Sequence, residues 1–471
     1  MIADLKPYPD YKESGLPWLR HIPKHWGIKR GKSLLQCIDK RSSDGKEELL
    51  SVSSSRGVVP RRSAKVTMFK AESYIGYKLC WPGDLVINSL WAWGGGLGVS
   101  QYHGIISSAY GVYRTRPGAQ INPAYINELV RSAPFNWELT VRSKGVWISR
   151  LQMVDQAFLD APFPLPSQEE QEAIVKFLDC VNARLERAMR AKRKTIGLLN
   201  EQKQAVIHHA VARGVAPNVP LKPSGIPWLG NIPKHWSVRK VRTVAVLIVS
   251  NVDKHSRANE KPVRLCNYTD VYKNERITNS LNFMQATATD DEISKYRIRV
   301  GDVVITKDSE EWDDIGVPTY VAQEADDLVC GYHLGILRPR KELIAGDFLF
   351  RALQDRFVAT QMHVSAKGVT RYGLSHQGIK DTLIPLPPTD EQESICAVLS
   401  KELKRFTSAV TRLEREIELL REYRTRLISD VVTGKLDVRK VVSQLPKDVV
   451  ANEPLTADDT VEESEPEESA L

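Results

Sequence analysis

Two stretches of the chain place apolar residues at alternating three- and four-residue spacing, and each follows a Pro-Leu-Pro break. In the second, Ile395, Leu399, Leu403, Phe406, Val410, Leu413, Ile417, Leu420, Leu427 and Val431 fall on one face, the spacing of a coiled-coil seam. In the first, Ile174, Leu178, Val181, Leu185, Ala188, Ile196, Leu199, Val206 and Ala210 keep that spacing less strictly, with Lys192 and Lys203 interrupting it. Ser167-Gln-Glu-Glu170 and Thr389-Asp-Glu-Gln392 read as capping boxes. No proline intervenes before Pro217 or Pro446, so each stretch predicts a helix of about 45 residues, roughly 70 Å long. A lone helix of that length with one apolar stripe needs a partner. The predicted partner is the other copy, running antiparallel; the competing arrangement folds each helix onto its own globular part.

The segments ahead of the helices, about 27–165 and 237–388, read differently. Short β-type runs (Leu49–Val52, Leu85–Asn88, Tyr110–Tyr113; Val263–Cys266, Val303–Thr306, Leu334–Leu337) alternate with turns, and one helical stretch per half follows near 123–138 and 346–360. The pattern predicts mixed α/β (α+β) globules.

These elements occur twice because the chain is a tandem duplication. Ser14-Gly-Leu-Pro-Trp-Leu-Arg-His-Ile-Pro-Lys-His-Trp26 returns as Ser224-Gly-Ile-Pro-Trp-Leu-Gly-Asn-Ile-Pro-Lys-His-Trp236, identical at ten of thirteen positions. Gly83-Asp-Leu-Val-Ile87 matches Gly301-Asp-Val-Val-Ile305, Tyr110 through Arg116-Pro117 matches Tyr332 through Arg338-Pro339, and Lys144-Gly-Val146 matches Lys367-Gly-Val369. Between these anchors the halves diverge, as recognition modules on a shared scaffold do. The expected division is a first globular domain at 1–166, a spacer helix at 167–213, a linker and second globular domain at 214–388, a second spacer helix at 389–436 and an acidic, disordered tail at 437–471. Duplication also predicts pseudo-two-fold symmetry.

Charge sharpens the picture. The net charge is +8, but residues 451–471 hold eight carboxylates and no Lys or Arg, leaving +16 on residues 1–450. A basic body suggests a polyanionic partner; solubility alone is the competing explanation. The six cysteines (37, 80, 180, 266, 330 and 396) show no CxxC and no paired spacing, which points away from zinc and disulfides and towards a cytoplasmic protein. No run approaches membrane-spanning length, and the opening residues lack a signal peptide's apolar core.

Catalytic motifs fail on inspection. Gly27-Ile-Lys-Arg-Gly31-Lys32-Ser33 has one residue too few between its glycines for a phosphate loop. Asn122-Pro-Ala-Tyr125 lacks the second proline of the methyltransferase motif it approaches, and its counterpart is Ala345-Gly-Asp-Phe348; a helix start with an apolar anchor explains both. The glycines 94–96 and 98 lack dinucleotide-binding spacing, and His208-His209 becomes Ser429-Asp430 in the second copy, as a surface position allows. No metal site and no catalytic set emerge.

If the polyanion is DNA, contacts should come from loops that mix Arg, Lys, polar and aromatic residues beside the framework turns. The first half offers Ser53 and Arg56, Trp91 and Trp93, and Lys144, Trp147 and Arg150; the second offers Tyr272, Lys307, Ser309 and Trp312, then Lys367, Thr370, Arg371 and Tyr372. For any one of them a solvated loop or a packed aromatic is the competing reading. The repeated Lys-Gly suits a shared phosphate contact, because glycine lets the backbone approach a duplex. Phe177, Leu198, Ile207, Leu419 and Ile428 lie off the seam and are expected to dock partner subunits.

Taken together, the paired Gly-(Leu/Ile)-Pro-Trp-Leu…Ile-Pro-Lys-His-Trp openings, the Gly-Asp-(Leu/Val)-Val-Ile turns and the Pro-Leu-Pro…Glu-Gln-Glu-x-Ile helix entries resemble the specificity subunit of type I restriction–modification systems. Leu97-Gly-Val-Ser100…Ser107-Ser-Ala-Tyr110 and Val329-Cys-Gly-Tyr-His-Leu334 also look like target-recognition sequence. The likeness runs from about residue 5 to 440. It implies two target recognition domains separated by antiparallel helices, each reading one half of a gapped double-stranded DNA site. It further implies a non-catalytic chain without a cofactor of its own. Two modification subunits would supply adenine methylation with S-adenosylmethionine, and restriction subunits would supply ATP- and Mg-dependent cleavage in phage defence. Half-sites one helical turn apart lie roughly 34–36 Å from each other, within the reach of a 70 Å helix pair. The alternatives are a stand-alone duplicated DNA-binding regulatory or architectural protein and, third, an enzyme with its site in this chain.

Overall fold

The buried tryptophan that closes each opening motif fixes where each long helix begins. Trp26 and Trp236 are 0% and 1% exposed, so each indole N–H needs an acceptor inside the protein. In the first half, strand Gly27–Arg30 pairs antiparallel with Pro162–Leu165, Gly27 opposite Leu165. Trp26 thereby comes level with the first turn of the helix that follows, and its Nε1 donates to Glu170 at 3.1 Å. His25 Nε2 lies 2.8 Å from the same carboxylate, and the Tyr8 hydroxyl donates to it as well. In the second half, Ser237–Lys240 pairs with Leu383–Leu386, and Trp236 Nε1 donates to Glu391 at 2.9 Å. His235 reaches that carboxylate too.

The structure is a computed structural model that describes residues 5–63, 71–145 and 151–445. Its contacts divide the chain into two units, one of residues 1–193 with 414–471 and the other of residues 194–413. The long helices are Gln168–Arg213 and Thr389–Val432, so each unit contains part of both.

In the first unit a four-stranded sheet carries Leu35–Cys37, Gly111–Thr115, Leu85–Ile87 and Leu97–Val99 in that order. Leu50, Val52, Val58, Cys80, Val86, Ile106 and Val112 form a core. Glu186 pairs with Arg424 and Lys192 with Glu416. Advancing along the first helix thus retreats along the second, and within this unit they run antiparallel. In the second unit a five-stranded sheet orders Ala245–Val249, Leu334–Pro339, Val303–Thr306, Pro318–Val321 and Arg276–Ile277. Beside it lies a three-stranded sheet of Met284–Ala288, Lys261–Cys266 and Leu328–Cys330. Ile207, Ala210 and Val211 of the first helix and Ile395, Leu399 and Leu403 of the second share one core with this unit's helices and sheet.

The duplication is tighter in space than in sequence. Gly83 and Gly301 adopt φ +91° and +92°, a left-handed conformation that favours glycine, and each turn presents a buried aspartate. Asp84 takes a two-pronged contact from Arg114, both arms at 2.7 Å; Asp302 takes the same from Arg338 at 2.9 and 2.8 Å. Gln171 and Gln392 are fully buried and make matching bonds. Each accepts from the backbone N–H of the residue opposite, Asn122 or Ala345, at 2.7 Å. Each donates to two carbonyls, of Gln120 and Pro166 or of Leu343 and Pro387.

Several expectations need correction. Neither capping box closes: Glu170 N–H does bond Ser167 Oγ at 3.3 Å, but the Glu170 carboxylate reaches across to Trp26. Thr389 already lies inside its helix, and Gln392 bonds remote carbonyls. Arg338 corresponds to Arg114 and not to Arg116, because Leu85 opposes Tyr113 as Val303 opposes Leu337. The single helical stretch in each half is two helices, Pro123–Val130 with Ala133–Arg142 and Gly346–Gln354 with Arg356–Ser365. Buried Asp355 separates the latter pair by capping Phe357 N–H. His208 is no plain surface residue, since its Nδ1 lies 2.8 Å from Asp355. Residues 437–445 are folded: Arg439–Val442 is helical, and Val438, Val441 and Leu445 are buried. The acidic remainder lies outside the described residues.

Glu170→Ala should remove the shared acceptor of three donors in a site where the carboxylate is 3% exposed. Stranding a buried donor costs about 1–3 kcal/mol, so urea unfolding should show a loss of about 3 kcal/mol. Glu391→Ala, whose carboxylate is 34% exposed, should lose clearly less. Equal losses for the two variants would refute the burial argument.

Candidate nucleic-acid interface

In the first unit three loops meet at the end of strand Leu85–Ile87. One is the tip of the hairpin formed by Leu50–Ser53 and Gly57–Pro60. Arg131 holds that tip from below, its guanidinium donating to the carbonyls of Leu97, Ser54 and Ser55 at 2.6, 2.9 and 2.8 Å. The second loop carries Trp91 and Trp93 and passes beside the first, with Gly95 against the Ser54 side chain. Trp91 lies flat on Gly94, where any Cβ would strike the indole. Trp93 is half-buried and spends its Nε1 on the Leu90 carbonyl at 3.2 Å. The third loop leaves from Lys144, which is exposed and bridges Gln152 antiparallel. The residue after Gln152, Met153, donates its N–H to the Ser89 carbonyl at 2.8 Å and docks this end of the loop on the strand end.

The second unit repeats the plan with other residues. Asp308–Ser309, Tyr372–Gly373 and Lys367–Gly368 form a three-stranded ribbon. It is docked by Leu374 N–H on the Lys307 carbonyl at 2.8 Å, the counterpart of Met153 on Ser89. Lys367, Thr370 and Arg371 are exposed at its outer turn and Tyr372 is half-buried. His333 sits between Asp308 Oδ2, 2.7 Å from its Nδ1, and Arg371 Nη2, 3.2 Å from the same ring atom. On the other flank Tyr268 and Tyr272 stack at 5.5 Å and 15°. Tyr272 donates to Asp314 at 2.7 Å. Burial above all raises the Tyr268 hydroxyl's pKa, while its bond with Ser309 opposes the shift. Trp312 is 49% exposed.

The structure thus brings together Arg56, Trp91, Trp93 and Lys144 in one unit, and Tyr272, Lys307, Trp312, Lys367, Thr370, Arg371 and Tyr372 in the other. Trp147 and Arg150 lie outside the described residues. Ser53 and Ser309 need correction, since both are 8% exposed and hold turns. Ser53 Oγ accepts from the N–H groups of Ser55 and Arg56, and Ser309 Oγ accepts from Glu311 N–H. The role given to the second Lys-Gly also changes. A Cβ on Gly368 would lie 2.0 Å from the Arg371 carbonyl, so the ribbon's own turn requires the glycine. Sequence reasoning missed Arg131 and His333. His333 was in view only as part of Val329–Leu334.

The off-seam apolar residues divide. Phe177 and Ile207 are fully buried and are withdrawn as docking residues; Ile207 lies in the core of its own unit with Trp236 and Phe348. Ile428 is half-buried, whereas Leu198 and Leu419 are 52% and 47% exposed. Counting from Glu170 and Glu391, these two leucines occupy the same position of the two helices.

Among the described residues no group of three or more His, Cys, Asp and Glu side chains could hold a metal ion, and no helix is long and apolar enough to cross a membrane. The family model for the type I restriction modification DNA specificity domain matches residues 233–419. A Methanocaldococcus jannaschii chain named as the type I restriction enzyme MjaX specificity subunit is 22% identical over 227 residues, 47% of this chain. That match spans only 52% of the relative's length. The MjaVIII specificity subunit of the same organism is 22% identical over 309 residues, 64% of this chain and 68% of that one. A chain solved in work on complex assembly and conformational transition of the type I restriction–modification system superimposes with a TM-score of 0.61 at 15% identity. It covers 87% of this chain and 98% of its own length, and at that identity the likeness speaks for the fold. Residues 233–419 thus match the type I restriction modification DNA specificity domain, and the duplicated α/β units with their paired long helices share the fold of that solved chain.

Proposed function

We propose that the chain is the DNA-reading, non-catalytic subunit of a type I restriction–modification complex, with each unit contacting one half of a bipartite, gapped duplex site. One observation carries the reading: a single framework is built twice, and the loops docked at the same strand end share little beyond Lys-Gly-Val. A protein that reads two unlike half-sites with one scaffold needs that combination. The long helices then serve as docking sites for modification subunits, two by the symmetry of the duplication. Those subunits supply the S-adenosylmethionine chemistry, and restriction subunits the ATP and Mg chemistry. The family match favours this assembly over a stand-alone regulator.

The loops have the chemistry for the task. Lys144 and Lys367 are exposed at equivalent turns and suit phosphate oxygens. Arg371, with a planar fork of donors, suits a guanine edge. Between Lys307 and Asp314 one lysine stands against five carboxylates, a composition that suits donors on base edges better than phosphates.

Binding of the full-length chain to its two-part duplex should weaken steeply as salt rises. Lys367→Ala should weaken all sequences alike and lower the salt slope by about one, whereas Arg371→Ala should cost roughly 1–3 kcal/mol at one position of one half-site. Exchange of residues 27–165 for another recognition domain should alter one half of the target only. Fluorescence-anisotropy titrations over a salt series check all three, and a change in both half-sites on exchange would refute the modular reading.

Leu198→Asp and Leu419→Asp place a charge on exposed, equivalent helix positions, so neither should shift the melting temperature by more than about 2 °C, as surface changes rarely do. Each should remove one modification subunit from the co-purified complex, and the double variant both. Undiminished co-purification would place docking elsewhere.

A further inference from the structure

Asp308, His333 and Arg371 come from three separate segments of the second unit and meet on the ribbon. Asp308 Oδ2 lies 2.7 Å from His333 Nδ1. Arg371 Nη2 lies 3.2 Å from Nδ1 and 3.4 Å from Nε2 of the same ring. A carboxylate only accepts, so Nδ1 carries the proton towards Asp308. Nη2 is nearly equidistant from the two ring nitrogens, so the guanidinium lies against the imidazole ring, a contact that a planar cation makes with an aromatic group. The ring of Tyr332 lies against His333, centroids 3.7 Å apart, and His333 itself is 21% exposed. Arg371 is exposed, and only its Nη2 approaches His333.

The duplication shows that this set is no part of the framework. Val303 pairs with Leu337 as Leu85 pairs with Tyr113. Carrying that register across, Asp308 stands where the first half has Leu90, and His333 where it has Ala109. The Asp302–Arg338 pair a few residues away does recur, as Asp84–Arg114. The ionic chain is thus an addition to one half, at the place where the two halves must differ if they read different sequences.

We infer that Asp308 and His333 are positioning residues that hold Arg371 as the guanine-reading group of the second half-site. This rests on the proposed DNA-reading function. A guanidinium held along one edge loses less side-chain freedom on binding than a free one, and its remaining planar donors match the O6 and N7 acceptors of guanine in the major groove. Asp308 also offsets the cation in the unbound protein without occupying those donors.

The test is selection from a randomised duplex pool with the full-length chain, followed by the variants. Wild type should enrich a two-part sequence. Arg371→Ala should lose a guanine at one position of one half, by roughly ten- to a hundredfold in relative affinity. His333→Ala and Asp308→Ala should lose preference at that same position, leave the other half intact and keep the melting temperature. The double change of His333 and Arg371 should lose no more than Arg371→Ala alone. His333→Gln offers a donor and an acceptor as the imidazole does, and should keep much of the preference. Positioning is overturned if the His333 and Asp308 variants retain the guanine that Arg371→Ala loses, or if they flatten the whole half-site together with a fall in melting temperature. The assignment of Arg371 falls if its loss leaves the selected sequence unchanged. Failure of wild type to enrich any two-part sequence would instead remove the functional reading beneath it.

Discussion

One buried indole in each unit joins the two long helices. Trp26 donates to Glu170 at the start of the first helix and packs against Gly434, just past the end of the second. Trp236 donates to Glu391 at the start of the second and packs against Gly214, just past the end of the first. A Cβ on Gly434 would lie 2.4 Å from Pro23 and 3.1 Å from the Trp26 ring, and one on Gly214 would lie 3.1 Å from Trp236. Both glycines take positive φ, +75° and +76°, as left-handed helix ends do. The same residue type thus ends the helix and lets the indole in. A carboxylate at a helix N-terminus also meets the positive end of the backbone dipole, which offsets part of the cost of its burial. The opening motif is repeated because the joint it makes is needed twice.

Much of this architecture was legible in the sequence. Periodicity identified six strands and both long helices, since a two- or three-and-four-residue repeat reports directly on which face is buried. The joints were not legible. A glutamate three residues past a cap looks the same whether it turns back to the cap or reaches across to an indole, and only the pairing of Gly27 with Leu165 decides. Arg114 and Arg116 fall on the same face of a strand, and the choice between them as partner of Asp84 belongs to a register set by the whole sheet. Phe177 and Ile207 looked like free surface because a seam analysis supposes that only another helix can cover a helix. Here both are buried, Ile207 in the core of its own unit. The folded residues 437–445 were masked by the acidic composition that follows them.

The candidate interface divides along the same line. Arg56, Trp91, Lys144, Lys367 and Arg371 were accessible to reasoning because their residue types suit nucleic acid and they stand beside framework turns. Arg131 and His333 were not, because each acts on a loop remote in sequence. Arg131 sits on the helix Pro123–Val130 side of the unit yet bonds carbonyls of residues 54 and 55, and burial lowers its pKa, with Glu128 opposing the shift. Charge-assisted bonds to three carbonyls keep such a buried guanidinium satisfied. Side chains that organise a loop from below therefore leave no mark in the loop's own sequence.

Framework and variable loops are held by different kinds of bond. The framework relies on side chains that recur, namely the tryptophan–glutamate joint, the aspartate–arginine pair and the three-bonded glutamines. The two loops that carry Lys144 and Lys367 are docked on the strand ends by backbone bonds, Met153 N–H to the Ser89 carbonyl and Leu374 N–H to the Lys307 carbonyl. A backbone bond is indifferent to the side chains at its ends, so a serine in one half and a lysine in the other hold equivalent loops in equivalent places. Substitutions in these loops leave the docking intact, while a substitution at Glu170 or Gln171 strands several buried groups at once. Divergence between the two halves accordingly falls in loops that backbone bonds dock, and recurrence in the buried side chains that the fold depends on.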